Sequence, residues 1–271
     1  MIASTTTTQT KLSSYRPAET ADEILRQRRV WETKPQVRSF YELQVFPRVH
    51  RELPAEGPIV EVGSGAGVFG ESTPRLVATD IIDARWLQLR CSALALPFPD
   101  HSVAALVAIN VLHHLPAVGP FLLEATRALR PGGRLVCVEP WMTPVSRVFY
   151  RWIHQEECRP VADPLFGANT DASRPMHGNT FIPYQAIPKV SAQLGGLVLR
   201  KLEPFSGLGW CLSMGFREGA LLPDAVLRAL LRLEDASNAV WSTWAGLNAL
   251  IVFEATHRPE SKPTMSPLVT A

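Results

Sequence analysis

Between residues 59 and 80 the chain sets two carboxylates around a run of glycines. Glu61 stands two residues before Gly63, then Gly65, Gly67 and Gly70 follow, and Asp80 closes the next apolar run. A glycine-rich turn lets a backbone approach a nucleotide, and it also closes tight turns that hold no ligand. A dinucleotide fingerprint needs glycine where Val68 stands, and a phosphate-cradling loop needs a Gly-Lys-Ser/Thr triplet that does not occur near here. The carboxylate narrows the choice. Beside a pyrophosphate Glu61 would be repelled, whereas a ligand with an ammonium and a sulfonium favours it. Asp80, at a strand end, suits both hydroxyls of a ribose; its structural alternative is a helix N-cap.

These residues need elements to hold them. The residues Thr20-Ala-Asp-Glu23 read as a capping box, and Ile24, Leu25 and Trp31 follow at helical spacing. After Pro35, the residues Val37, Phe40, Tyr41 and Val45 predict a second helix running towards Arg51. PIVEV (58–62), RLVATD (75–80) and AALVAIN (104–110) read as buried strands, the second reached by a crossover that Pro74 keeps too short for a helix. FLLEATRALR (121–130) is an amphipathic helix stopped by Pro131-Gly132-Gly133, and RLVCVEP (134–140) is another strand. Strands alternating with helices imply a doubly wound parallel sheet. Residues 141–195 break the pattern with Pro, aromatic residues, His and Asn. Regular structure resumes at GLVLRKLEPF (196–205), with a helix from Pro223 to about Trp244 and a strand at ALIVFEA (249–255).

The ordered set VEVGSGAG, TD, ALPFPD, NVLHHLP and LRPGGRLVCVEP, within residues 58–140, resembles the class I S-adenosylmethionine-dependent methyltransferases. It is most similar to their bacterial type-11 domain. The resemblance implies an α/β, Rossmann-like doubly wound sheet of seven strands with the last inserted antiparallel. It implies S-adenosylmethionine as cofactor, held by Glu61, the turn Gly63, Ser64, Gly65 and Gly67, Asp80 with Ile81, Ser92 with Ala93, and Ile109. Two positions depart from the pattern. Ser92 stands where the family commonly has an Asp for the adenine amino group, so it can accept one hydrogen bond but carries no charge. Val103-Ala104 replaces a frequent Phe-Asp at the start of strand four.

A sulfonium is already a strong leaving group, so alignment is the main task, with proton removal added for an alcohol acceptor. His113 and His154 are the candidate bases. His114 reads as a helix-start residue and Glu156 as a solvated helix carboxylate, with Asn169, His177 and Asn179 further along the same insertion. Trp141, Tyr150 and Trp152 either line an apolar acceptor pocket or pack in the core.

Of 271 residues, 46% are hydrophobic and 19% charged, which predicts a large buried core. A net charge of +2 without a basic tract argues against a nucleic-acid partner. The four cysteines form no CxxC pair, which predicts no metal site and fits a reducing, cytoplasmic setting. Residues 239–255 are interrupted by Ser242, Thr243 and Asn248, short of the ~20 apolar residues a spanning helix needs, so a buried helix end and a central strand are expected there. The expected organisation is tails at 1–17 and 257–271 around a single domain at 18–256. Within it lie N-terminal helices (18–51), a cofactor-binding core (58–140), an acceptor-recognition insertion (141–195) and closing sheet elements (196–256). The function expected is methyl transfer, foremost to oxygen, on a small-molecule or sugar-type (glycan) acceptor. A catalytically silent cofactor-binding partner or sensor is the second reading, and Glu61 with the glycine spacing disfavours a nicotinamide oxidoreductase.

Overall fold

The strongest apolar runs form the middle of one seven-stranded sheet. The computed structural model describes residues 17–154, 156–170 and 178–256, with side chains from residue 21 on. In chain order the strands are β1 (Ile59–Val62), β2 (Leu76–Asp80), β3 (Leu89–Arg90), β4 (Val103–Ile109), β5 (Leu129–Pro140), β6 (Leu197–Phe205) and β7 (Asn248–Ala255). Their order across the sheet is β3-β2-β1-β4-β5-β7-β6. β1 to β5 are parallel, and β7 runs antiparallel between β5 and β6. The last strand is thus the inserted antiparallel one.

Because side chains alternate across a strand, each central strand feeds two cores. Leu106 and Ala108 of β4 join Leu135 and Cys137 of β5 and Ile251 and Phe253 of β7 in one core. Ala105 and Val107, Val136 and Val138, and Leu250 and Val252 join the other. The first core is covered by α4 (Val118–Ala128), through Phe121, Leu122 and Ala125, and by Ile182 and Val190 further along. The second is covered by the N-terminal helices, through Trp31, Val37, Phe40 and Val49.

Those N-terminal helices are α1 (Pro17–Thr33), α2 (Pro35–Phe40) and α3 (Phe46–His50), with a single π-helical stretch at Tyr41–Val45 joining the last two. The first begins at Pro17, so Thr20 lies within it and is not its cap. α4 stops at Ala128, before Pro131, because Leu129 is already extended and opens β5. Residues 141–195 carry more regular structure than their composition suggests: α5 (Pro144–Trp152), α6 (Ile182–Ala186) and α7 (Val190–Gln193). A capping box starts α5, with Thr143 Oγ1 accepting from Ser146 N–H and Ser146 Oγ accepting from Thr143 N–H. α8 (Leu208–Ser213) follows β6. The helix expected from Pro223 to Trp244 is two, α9 (Asp224–Ala236) and α10 (Asn238–Ala245), broken at Ser237. α10 is less buried than expected, with Val240 and Trp244 exposed, whereas β7 is central as expected. No helix among the described residues is long and apolar enough to cross a membrane. The segments read as tails lie outside the described residues, except Pro17, which opens α1.

Candidate active site

The turn after β1 is held open by its own backbone. Gly63 has φ +64°, and a Cβ there would stand 2.8 Å from Val111 Cγ2, so only glycine fits. Gly65, at φ +50°, faces space: a Cβ there would meet only Gly63 O, at 4.0 Å. Ser64 ties the turn to β2, its N–H donating to Thr79 O (2.9 Å) and its Oγ accepting from Thr79 N–H (3.1 Å). The Trp86 indole donates to Gly65 O (2.9 Å) and Arg28 of α1 to Ala66 O (3.0 Å).

Two buried carboxyls border this turn. Glu61 is 4% exposed, and its Oε2 has no hydrogen-bond partner among the described residues. Burial pushes its carboxyl up to about 8, against the Ser64 hydroxyl, with nearby Asp80 adding to the rise. Asp80 is also raised by burial, while backbone amides, that of Gly65 foremost, oppose the shift. Its Oδ2 accepts from Gly65 N–H (2.8 Å) and its Oδ1 from Ile82 N–H (3.2 Å). No helix follows β2, so Asp80 is no helix cap; it fastens the glycine turn. The backbone around Ser92 and Ala93 lies next in line, since Cys91 N–H donates to Asp80 O (2.9 Å). Ser92 Oγ accepts from Leu94 N–H (3.2 Å) and Ala93 is buried, while Ile81 and Ile109 are half-buried at the ends of β2 and β4. An unpartnered buried acid beside an open glycine turn fits a ligand that brings a cation and no phosphate.

The carboxyl end of β5 carries a second buried acid, Glu139, with the opposite arrangement. Its Oε1 accepts from the Val111 and Leu112 N–H groups (2.8 and 2.7 Å), and its Oε2 pairs with His113 Nδ1 (2.6 Å). Three donors saturate it. Nδ1 of His113 therefore bears a proton towards Glu139, and Nε2 stands 3.5 Å from Glu156 Oε2, a carboxylate that favours a proton on this nitrogen as well. Burial lowers the His113 imidazole, but the Glu139 and Glu156 carboxylates outweigh it and the net shift is upward. His114 Nε2 stands 3.8 Å from Glu156 Oε1, and the two histidine rings are 4.0 Å apart. His113, His114 and Glu156 together have the donor types and closeness to hold a metal ion.

Other candidates sort themselves by what they touch. His154 Nδ1 accepts from Glu156 N–H (3.3 Å), so its lone pair is occupied, and burial lowers its pKa. Glu156 lies beyond the end of α5 and faces histidines, so it is not a solvated helix residue. Asn179 and Asn169 spend their amides on the backbone, at Arg159 and Phe181 and at Asp163. Trp141 and Tyr150 are buried in cores, the latter donating to Leu247 O (2.8 Å), while Trp152 is exposed. His177 lies outside the described residues.

Two residues escaped the sequence reading. Glu139 sits in VCVEP as an acid closing an apolar strand, the signal that drew attention to Glu61. Tyr41 is buried in the π-helical stretch, and its hydroxyl accepts from Asn110 Nδ2 (3.4 Å). Asn110 is itself at φ +57° directly after β4. Burial pushes the Tyr41 phenol well up, the Asn110 amide opposes that, and the charge of Glu61 adds to it. Aromatic residues at helical spacing give no sequence sign of such a role.

Residues 60–137 match the family model described as "Methyltransferase domain". The demethylmenaquinone methyltransferase of Lactiplantibacillus plantarum is 29% identical over 119 residues, 43% of this chain and 48% of that protein. The 27-O-demethylrifamycin SV methyltransferase of Amycolatopsis mediterranei is 41% identical over 54 residues, 20% of each chain. The match thus spans about half the length of the first relative and a fifth of the second. An S-adenosylmethionine-dependent methyltransferase from Thermotoga maritima shares the fold at a TM-score of 0.53, with 14% identity over 89% of this chain and 100% of that one. The family match makes residues 60–137 a methyltransferase domain, and the sheet and glycine turn around it have the class I S-adenosylmethionine-dependent methyltransferase fold.

Proposed function

We propose that the protein methylates a small-molecule acceptor from S-adenosylmethionine, and that the methylated atom is an oxygen. The observation that carries this reading is the joint formed by Val111. Its side chain packs on Gly63 of the cofactor turn, and its N–H bonds Glu139, which orients His113. One residue therefore couples the glycine turn to a buried imidazole.

In this reading Glu61 receives the ammonium end of the cofactor, Asp80 and Ile81 the ribose, Ser92 and Ala93 the adenine side, and Ile109 borders the methyl-bearing end. S-adenosylmethionine supplies a methyl group on a sulfonium leaving group. His113 Nε2 is the group that relieves an acceptor hydroxyl of its proton, and Glu139 supports the charge that forms on the ring. His154, whose lone pair is engaged, is a positioning residue for Glu156. The acceptor lies against residues 141–195, which leave β5 at the edge where His113 stands.

The relatives' names, a demethylmenaquinone and a demethylrifamycin methyltransferase, support a small organic acceptor, and the second supports oxygen. The test is an S-adenosylhomocysteine-release assay over quinol, phenol and glycoside acceptors, beside calorimetry with S-adenosylmethionine and NADH. Cofactor binding with turnover on a hydroxyl acceptor is expected. NADH binding without S-adenosylmethionine binding would sink the assignment, and cofactor binding without turnover on any acceptor would favour a silent binding protein.

A further inference from the structure

The cluster in front of His113 has features that a proton-accepting histidine alone does not need. Two neighbouring residues of one short turn, His113 and His114, both direct Nε2 at the same carboxylate, at 3.5 and 3.8 Å. Their nitrogens and a Glu156 oxygen all lie within 4.8 Å of one another. Donors bound to one ion at about 2.0–2.2 Å sit roughly 3–4 Å apart, so small side-chain rotations close this set.

Three further observations support a cation here. Glu139 holds His113 Nδ1 at 2.6 Å and is itself fixed by two backbone amides, the outer carboxylate that histidine ligands of metals usually have. The His113 backbone is clamped as well. Asn179 N–H donates to its carbonyl (2.9 Å), and Gly178 packs so closely that a Cβ there would stand 2.6 Å from His113 Cδ2. Finally, Glu139 and Glu156 form their ion pairs with histidines and with no Lys or Arg among the described residues. Two carboxylates in a largely buried pocket call for a positive charge.

We propose that His113 Nε2, His114 Nε2 and the Glu156 carboxylate bind one divalent transition-metal cation, whose remaining positions accept an oxygen of the acceptor. Two imidazoles and one carboxylate suit zinc, iron(II) or manganese better than magnesium, which prefers oxygen ligands. The site is built from histidines and a carboxylate, so cysteine spacing carries no sign of it. The acceptor role of the cation rests on the proposed function; cation binding itself does not. With the cation present, His113 is a ligand and gives up the proton-accepting role; coordination acidifies the acceptor hydroxyl enough for its proton to pass to solvent water, so the class of acceptor sharpens to one that presents a hydroxyl or an enolic oxygen.

The test uses the full chain, stripped with a chelator and titrated with Zn²⁺, Mn²⁺ and Co²⁺, with metal content measured by mass spectrometry. One cation per chain is expected, with a visible Co²⁺ spectrum that reports imidazole ligation. Glu156→Gln and His114→Ala should abolish stoichiometric binding, and Glu139→Gln should weaken it by about 10–100-fold. S-adenosylmethionine affinity should stay within about twofold in all three, which also shows that they fold. A chain that retains no cation, or variants that bind it as the parent does, would overturn the site. Cation binding without S-adenosylmethionine binding would instead break the proposed function and leave the metal site standing.

Discussion

Two acids end two strands of the same sheet, and their surroundings are opposites. Glu61 on β1 is buried with an oxygen left unpartnered among the described residues, beside a turn made of backbone. Glu139 on β5 is equally buried but accepts three hydrogen bonds, two from backbone amides and one from His113. An acid left unsatisfied in a low-dielectric site awaits a charge from outside the protein, whereas a saturated one serves to aim a neighbour. The cofactor side is thus a turn of main chain beside an unpaired acid, and the acceptor side is an arrangement of side chains.

The sharpest way to break that comparison is at the saturated acid and its histidine. His113→Ala should lower turnover by about 10²–10⁴-fold while cofactor affinity stays within about twofold. Glu139→Gln is subtler. Its carbonyl can still accept from Val111 and Leu112, but its NH₂ then faces His113 Nδ1 and forces the proton onto Nε2. The lone pair disappears from the site although the ring remains, so turnover should fall by a similar factor. Initial rates paired with calorimetry on each variant check both. A large loss of cofactor affinity in either would mean that the two sides are one site.

Effects on the other side should be smaller and confined to binding. Asp80→Ala should weaken S-adenosylmethionine by roughly tenfold or more, since a hydrogen bond to a charged group is worth about 1.5–3 kcal/mol. Part of that loss comes through the turn, because Asp80 also fastens Gly65 and Ile82. Asp80→Asn separates the two contributions: it keeps an acceptor for the amides and removes the charge. An unchanged dissociation constant in a folded Asp80→Ala variant would leave Asp80 a purely structural clasp.

The sheet and the cofactor turn were legible because both are written in contiguous residues. Continuous apolar runs at β4 and β5, buried on both faces, and glycines that must accept positive φ are local signals. The acceptor side was legible only in part. His113 was visible after strand four, but its partners come from β5 and from residues beyond α5, brought together by the fold across 26 and 43 positions of sequence. Nothing local told Glu156 from a solvated carboxylate. Trp152, read as either lining a pocket or packing in the core, is instead exposed, because the presence of a large aromatic residue does not by itself say what covers it.

The smallest expected effect sharpens the comparison through pH. Burial penalises the charge of Glu61 and pushes its carboxyl up to about 8 from an ordinary 4.5. The raised value means that the folded protein holds this proton more tightly than the unfolded chain. Its contribution to stability is therefore complete below the unfolded value and is lost as pH climbs through about 5 to 8, by at most about 1.4 kcal/mol per unit. A bound ammonium favours the carboxylate, so cofactor binding expels the proton. Affinity should rise by up to roughly tenfold from pH 6.5 to 7.5 and then level off as the ligand's own α-amino group, near 7.7–8.0, loses its charge. Calorimetry in two buffers of different ionisation enthalpy should register close to one proton released per cofactor at pH 6.5. Glu61→Gln should abolish that release and flatten the affinity profile, and a parent protein that binds with no proton released would mean that Glu61 meets no cation.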